Sequence, residues 1–313
     1  MLLKKIEESK NIIISSHVNP DGDAIGSGLG LFLGLRKKYP EKSIRFILED
    51  DIPDNMKFME ETSKIEKYSE LKDKPEAQVF ITVDSAEKHR IGKVQELIGD
   101  SFLVNIDHHI SNPHFGDLNI VKEASSTSEI IFFVLRDMLD IEIDELSGEA
   151  IYTGIITDTG NFKYESTTKE TFYVAGELIN TGIDRSKIAD AVYKNKSLGA
   201  IKALGIALVN MKCIEEKKLV YFFLDKDFIQ KEKIKKDETD GIVESLLEYK
   251  DCEVSVFLRE LEDGKIKGSM RSKNKIDVNE IAKIFSGGGH KRAAGFTSDL
   301  SSEEIIKKIS EKL

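Results

Sequence analysis

Six side chains in the first half of the sequence have the types and spacing of a cation site: His17, Asp21, Asp23, Asp84, His108 and Asp158. His17 follows an apolar run over 11–16, and a single residue separates Asp21 from Asp23, so their carboxylates can address two neighbouring ions. Asp84 closes a second apolar run and Asp107-His108-His109 a third, Phe102 to Ile106. One carboxylate and two imidazoles at the end of a buried strand are costly unless something uses them. Adjacent residues at a strand end point different ways. His108 can therefore bind an ion while His109 faces a substrate, with Asp107 orienting a ring from behind. Asp158 falls near the end of a predicted helix, where the macrodipole disfavours a carboxylate unless cations are close. Plainer readings exist for two of these residues. Asp23 could cap a helix beginning at Ala24, and Asp84 with Glu87 has capping-box spacing. Neither explains the whole set. Four carboxylates and two imidazoles exceed the needs of one ion, whereas two divalent ions sharing Asp84 would use them all. Such a pair activates water and clamps a phosphoryl group. Mixed Asp/His ligation favours Mn²⁺ over zinc, with Mg²⁺ or Co²⁺ as substitutes.

A second constellation lies near the other end: Gly287-Gly288-Gly289-His290-Lys291-Arg292, with Arg271 upstream. Glycines let a backbone approach a ligand closely. From Lys265 to Arg292 there are eight Lys/Arg against two Asp/Glu, a surplus that suits a phosphate cradle; the plain alternative is a flexible loop. The whole chain carries a formal charge of −10, which repels long nucleic acid. Gly26, Gly28 and Gly30 weakly resemble a dinucleotide fingerprint, but ligand-type residues intervene after the strand, and close helix–sheet packing is the expected role.

These residues need a scaffold. Apolar runs predict strands near 11–16, 43–48, 79–83 and 102–106, alternating with helices at 24–38, 87–98, 126–139, 146–158 and 169–180. The alternation implies a mostly parallel sheet with helices on both faces, and ligands then bind beyond the carboxyl ends of the strands. Strands near 211–215, 219–225, 252–259 and 265–271, with helices near 239–248, 277–284 and 301–311, predict a smaller α/β domain. The expected division is 1–190 for a metal-binding domain, 191–210 for a helical linker and 211–313 for a substrate-binding domain. Two cysteines without CxxC spacing fit a reducing cytoplasm. No signal peptide and no run approaching the roughly 20 apolar residues of a membrane span is read.

In this order the motifs resemble those of the DHH phosphoesterase family: His17-x-x-x-Asp21-x-Asp23, Asp84, Asp107-His108-His109 and Asp158, followed by the glycine-rich signature of the DHH-associated C-terminal domain over 287–295. The likeness spans nearly the whole chain. It implies a two-manganese hydrolase with its site in a cleft between domains. One ion would be held by His17, Asp21 and Asp84, the other by Asp23, Asp84, His108 and Asp158. His109 would contact the scissile phosphate. Arg271, Gly288, Gly289, His290 and Arg292 would bind a substrate phosphate or nucleotide. Length and domain content narrow the resemblance to the nanoRNase type. The implied activity is hydrolysis of oligoribonucleotides a few nucleotides long, dinucleotides such as pApA above all, and of adenosine 3′,5′-bisphosphate (pAp), to mononucleotides. The expected partners are short RNA or nucleotides, with no long duplex and no membrane, and the family suggests a homodimer. The alternatives are a soluble cyclic di-AMP phosphodiesterase, a pyrophosphatase or polyphosphatase, and a non-catalytic nucleotide sensor.

Overall fold

The computed structural model describes residues 1–239 and 241–313, with the backbone alone at 236 and 237. The chain divides into two units, Met1–Asn195 and Lys196–Leu313. In the first, strands β1 (Asn11–Ser15), β2 (Ser43–Leu48), β3 (Glu66–Lys67), β4 (Val79–Val83), β5 (Phe102–Asp107) and β6 (Leu118–Val121) form one sheet. Its order is β3-β2-β1-β4-β5-β6, and every pairing is parallel. The helices are α1 (Leu2–Glu8), α2 (Gly22–Lys38), α3 (Thr127–Phe133), α4 (Glu145–Asp158), α5 (Lys169–Asn180) and α6 (Arg185–Tyr193).

The near-continuous apolar strands follow from burial on both faces. Ile12 and Ile14 of β1 enter one core with Val104, Ile106, Leu29 and Ile151, while Ile13 enters another with Phe80, Val94 and Leu97. Strand order reverses between β1 and β4, the switch point where sheets of this order open a ligand crevice. His17 follows β1 and Asp84 follows β4, so both reach that crevice.

Glycine sets the distance between α2 and α4. A Cβ on Gly26 would lie 2.5 Å from the Ala150 carbonyl oxygen, and one on Gly30 would lie 2.6 Å from Ile151 Cγ1. These two residues therefore serve helix–helix contact, a correction to the expected helix–sheet role, which Gly28 alone keeps by facing Phe46. Two expected helices are irregular. The 87–98 segment is a 3₁₀ stretch, Lys88–Leu97, broken at Gly92 with φ +63. The 126–139 helix stops at Phe133 and continues as a π turn over Val134–Met138.

The second unit holds β7 (Lys212–Ile214), β8 (Leu219–Leu224), β9 (Val254–Glu260), β10 (Ile266–Ser272), β11 (Gly288–His290) and β12 (Ala293–Ser298), ordered β11-β12-β10-β9-β8-β7. Only β8 and β9 run parallel. Its helices are α7 (Leu198–Asn210), α8 (Lys226–Glu232), α9 (Ile242–Leu247), α10 (Val278–Ala282) and α11 (Ser302–Ser310). Residues 198–210, expected within a linker, instead belong to this unit's core. Ala203 and Ala207 pack with Phe222, Phe257 and Leu246. The opposite face of the sheet packs Val256, Met270 and Phe296 against Ile305 and Ile309. The helix expected at 239–248 begins at Ile242, and residue 240 lies outside the described residues. The 287–295 segment is a β-hairpin rather than a loose loop. Among the described residues, no helix is long and apolar enough to cross a membrane.

Candidate metal centre

Asp84 sits at the middle of the polar cluster. It is buried, and its φ of +51 is a left-handed conformation that non-glycine residues rarely hold without a reason. It caps nothing: the 3₁₀ stretch that follows has Glu87 at its N-cap and no side-chain cap. Instead its two oxygens face opposite ways. Oδ2 lies 3.5 Å from His17 Nε2, and Oδ1 lies 3.6 Å from His108 Nε2. His17, Asp21 and Asp84 thus form one group whose donor atoms lie within 4.8 Å of one another; Asp23, His108 and Asp158 form a second. All six residues expected as ligands fall in these groups, and Asp84 touches both.

The rings are aimed by backbone. His17 Nδ1 is 2.9 Å from the Val18 carbonyl and His108 Nδ1 is 3.3 Å from the Ala124 carbonyl. A proton on each Nδ1 leaves Nε2 as the ligand atom. His109 is turned differently. Its Nδ1 is 3.7 Å from Asp84 but only 2.7 Å from Asp107 Oδ1, so its proton goes to Asp107. Asp107 is fully buried and already engaged by three donors. Oδ1 also accepts from the His108 amide at 2.9 Å, and Oδ2 accepts from Asn112 Nδ2 at 2.6 Å.

The cap of α2 falls to Asp21 rather than to Asp23, the residue for which a cap was the plainer reading. Asp21 caps α2, accepting from the Asp23 and Ala24 amides. Asp23 lies one residue inside α2 and caps another helix, accepting from the Thr127 and Ser128 amides of α3 at 2.6 and 2.9 Å. A carboxylate at the positive end of a helix is favoured. Gly154 makes room for it, since a Cβ there would lie 2.9 Å from Asp23 Oδ1. Three partners escaped the sequence reading: Thr127, whose hydroxyl donates to Asp84 Oδ1 at 3.1 Å, Ser128 and Asn112. Ser126 and Glu129 have capping-box spacing that could have marked the start of α3. Nothing local marks a link from Thr127 to Asp23, 104 residues away.

Without cations this cluster gathers protons. Burial, reinforced by the carboxylates of Asp84 and Asp158, raises Asp23 well above the usual carboxylate range. Burial, with Asp84 and Asp21 adding to it, pushes Asp158 up to about 6. Burial works against a charged His17, but hydrogen bonds to Asp21 and Asp84 outweigh it and hold the imidazolium up at about 10. His108 is raised in spite of burial by Asp23, Asp84 and Asp158. Asp107 goes the other way: burial would raise it, but hydrogen bonds from His109 and Asn112 hold it below the usual range. Carboxylates crowded this closely are a poor arrangement for protons and a good one for divalent cations. The donor set therefore fits a metal pair. These are the candidate groups of this chain for such ions.

In the second unit, Ala293 pairs with His290 on one side and Arg271 on the other, placing those two side chains on one sheet face. Gly289 must be glycine: its φ is +153, and a Cβ would lie 2.4 Å from the Ala293 carbonyl oxygen. Gly288 and His290 are exposed. Arg271 is bound to Glu244, while Arg292 donates to the Ile276 carbonyl at 3.2 Å and so restrains the backbone.

Residues 11–155 match the DHH family N-terminal domain, and residues 202–313 match the DHHA1 domain. The chain belongs to the DHH phosphoesterase family. Among its DHH relatives is the bifunctional oligoribonuclease and PAP phosphatase NrnA of Thermus thermophilus, 32% identical over 100% of this chain and 92% of that protein. The protein of the same name from Bacillus subtilis is 32% identical over 94% of this chain and 91% of its own length. A DHH fold of the same build is seen in an exopolyphosphatase-related protein from Bacteroides fragilis. Its TM-score is 0.93 at 33% identity, covering 99% of this chain and 94% of that one.

Proposed function

We propose that this chain is a two-metal phosphoesterase that hydrolyses short oligoribonucleotides, dinucleotides such as pApA above all, and pAp. The observation that carries the reading is Asp84, whose two oxygens lie 3.5 and 3.6 Å from imidazole nitrogens of two different donor groups. The names of full-length relatives at 32% identity support the substrate class. His17, Asp21 and Asp84 would hold one ion; Asp23, Asp84, His108 and Asp158 the other. Mixed carboxylate and imidazole donors favour Mn²⁺. Cations bound there supply a water of lowered pKa and neutralise phosphate charge.

The chain's own groups do the rest. Asp107 accepts from His109 Nδ1 and aims Nε2 at the substrate; with a second proton on Nε2 the ring would donate to a phosphoryl oxygen, where charge develops as the bond breaks. In the second unit Arg271 and His290, flanking Ala293 on one sheet face, offer donors for another phosphate. Two free cysteines, Cys213 and Cys252, support a reducing cytoplasmic setting.

The test is a manganese-supplemented panel of pAp, pApA, cyclic di-AMP, pyrophosphate and RNAs of increasing length. Turnover of pAp or pApA well above that of long RNA is expected. Phosphate release from pyrophosphate with no action on pApA would establish a pyrophosphatase instead. Binding of nucleotides without turnover of any of them would establish a sensor.

A further inference from the structure

Three of the four side chains assigned to the second ion are held by one short segment, 124–128, which leads from β6 into α3. The Ala124 carbonyl lies 3.3 Å from His108 Nδ1. The Thr127 and Ser128 amides donate to Asp23 at 2.6 and 2.9 Å, and the Thr127 hydroxyl donates to Asp84 Oδ1 at 3.1 Å. Among the described residues, His17 and Asp21 take nothing from this segment. His17 leans on the Val18 carbonyl, and Asp21 on the first turn of α2. The two ion sites therefore have different supports, and only the second depends on 124–128.

Within the segment, Thr127 is the residue whose side chain does the holding. Capping does not explain its hydroxyl, because Ser126 is the N-cap of α3 and already accepts from the Glu129 amide at 3.1 Å. Threonine is also a weak helix former. The side chain is fully buried, where a hydroxyl is costly unless it is bonded. Its bond goes to the carboxylate with the most to fix. The Asp84 amide is pinned to the Ile106 carbonyl at 3.0 Å, so rotation of the carboxylate is the freedom that remains. Among the described residues the Thr127 hydroxyl is the nearest donor to that carboxylate, since the imidazole nitrogens stand at 3.5–3.7 Å. An oxygen that accepts one hydrogen bond keeps a lone pair for an ion.

We propose that Thr127 is a positioning residue for the second ion: its hydroxyl locks the rotation of the Asp84 carboxylate and so keeps Oδ1 on the side of His108 while Oδ2 faces His17. The inference rests on the metal-pair reading above and deepens it by making the two sites unequal. Loss of the hydroxyl loosens the site of Asp23, Asp84, His108 and Asp158 and leaves that of His17, Asp21 and Asp84 largely intact.

Calorimetric titration of the metal-free full chain with Mn²⁺ tests it, without recourse to turnover. The variants are Thr127→Val, which keeps the shape and loses the hydroxyl, and Thr127→Ser, which keeps the hydroxyl. The wild-type chain should take up two ions. Thr127→Val should hold one of them within about twofold of the wild-type affinity and the other about 10–100-fold more weakly, the usual cost of removing a ligand's supporting partner. Thr127→Ser should return the weakened ion to within about threefold. Paramagnetic resonance at two equivalents of manganese gives an independent signature: a spin-coupled pair in the wild type and in Thr127→Ser, isolated ions in Thr127→Val. Should Thr127→Val fail to fold, Thr127→Ala reads the same difference. Unchanged affinities in the variant that lacks the hydroxyl would overturn the proposal. So would equal weakening of both ions, the mark of a purely structural role, or a Thr127→Ser variant that restores nothing. A wild-type chain that takes up fewer than two ions refutes the metal pair, and the proposal with it. Two ions in the wild type with an unselective loss in the variant refute the proposal alone.

Discussion

At the scale of single residues, the cluster is a chain of restraints that ends on His109. Asn112 Nδ2 donates to Asp107 Oδ2 at 2.6 Å and to Asn105 Oδ1 at 2.7 Å, and Asp107 Oδ1 fixes the His109 ring. Replacing Asp107 by Asn removes the charge and permits the wrong tautomer. Asp107→Asn should lower kcat for pAp on the order of 10³-fold with a much smaller change in KM. Steady-state kinetics with saturating manganese would show it, and equal losses in manganese affinity and kcat would mean that Asp107 serves the metals instead. Asn112→Ala strips a donor from a buried carboxylate and should cost roughly 1–3 kcal/mol in urea unfolding. The candidate donors were legible because unusual polar residues close apolar runs. Asn112 and Thr127 were not, because a buried Asn or Thr has no pattern until its partners are known.

At the scale of elements, the close pairing of α2 with α4 decides where Asp23 and Asp158 lie. Gly26→Ala would push a methyl group against the Ala150 carbonyl oxygen at 2.5 Å, and backbone cannot step aside as a side chain can. A loss on the order of 1–3 kcal/mol is expected, with weaker manganese binding as Asp23 moves. Gly176 gives the matching control. It lies mid-way along α5, with nothing within 4 Å of a built Cβ. Gly176→Ala should stabilise the protein by about 0.5–1 kcal/mol. Melting curves for both variants, beside manganese titrations, test the pair. Strands β1, β2, β4 and β5 were readable because burial on both faces leaves near-continuous apolar runs, interrupted only at Arg45, Thr82 and Asn105. The two-residue β3 and the half-buried β6 lack such runs. The β11–β12 hairpin hides behind its glycines, which read as a loop until their cross-strand partners are seen. The glycines of α2 were recognised as packing residues, but sequence could not say that the neighbour was a helix.

At the scale of the whole molecule, cation binding must be coupled to protons and to stability. A His held up at about 10 in the metal-free fold favours that fold fully below its ordinary value of 6.5, an advantage lost as pH rises through 10. Asp158, raised to about 6 from 3.8, has the opposite sign: its burial destabilises the fold increasingly from pH 3.8 to 6 and constantly above. A metal ion displaces the His17 proton, so manganese should release protons at pH 7.5, and its affinity should climb from pH 6 to 8. It should also raise the melting temperature, by more at pH 8 than at pH 6. Indicator-dye titration in weak buffer and scanning calorimetry measure these effects; a pH-independent affinity would contradict the ligand set. Charge and composition disclosed at this scale only what the molecule avoids, since a net charge says nothing of where cations gather.

The position of β1 carries a consequence for how the protein is made. The first strand of the sheet lies at its centre, between β2 and a β4 that begins at Val79. Its second neighbour must be synthesised before the middle of the sheet can close, and Asp158 must follow before the donor set is complete. Pairings this distant along the chain make folding slow. A nascent chain halted before Asp158 already carries five of the six donors, with the His17, Asp21 and Asp84 group complete and only the second group lacking a carboxylate, so cations could engage one half of the centre before the other exists.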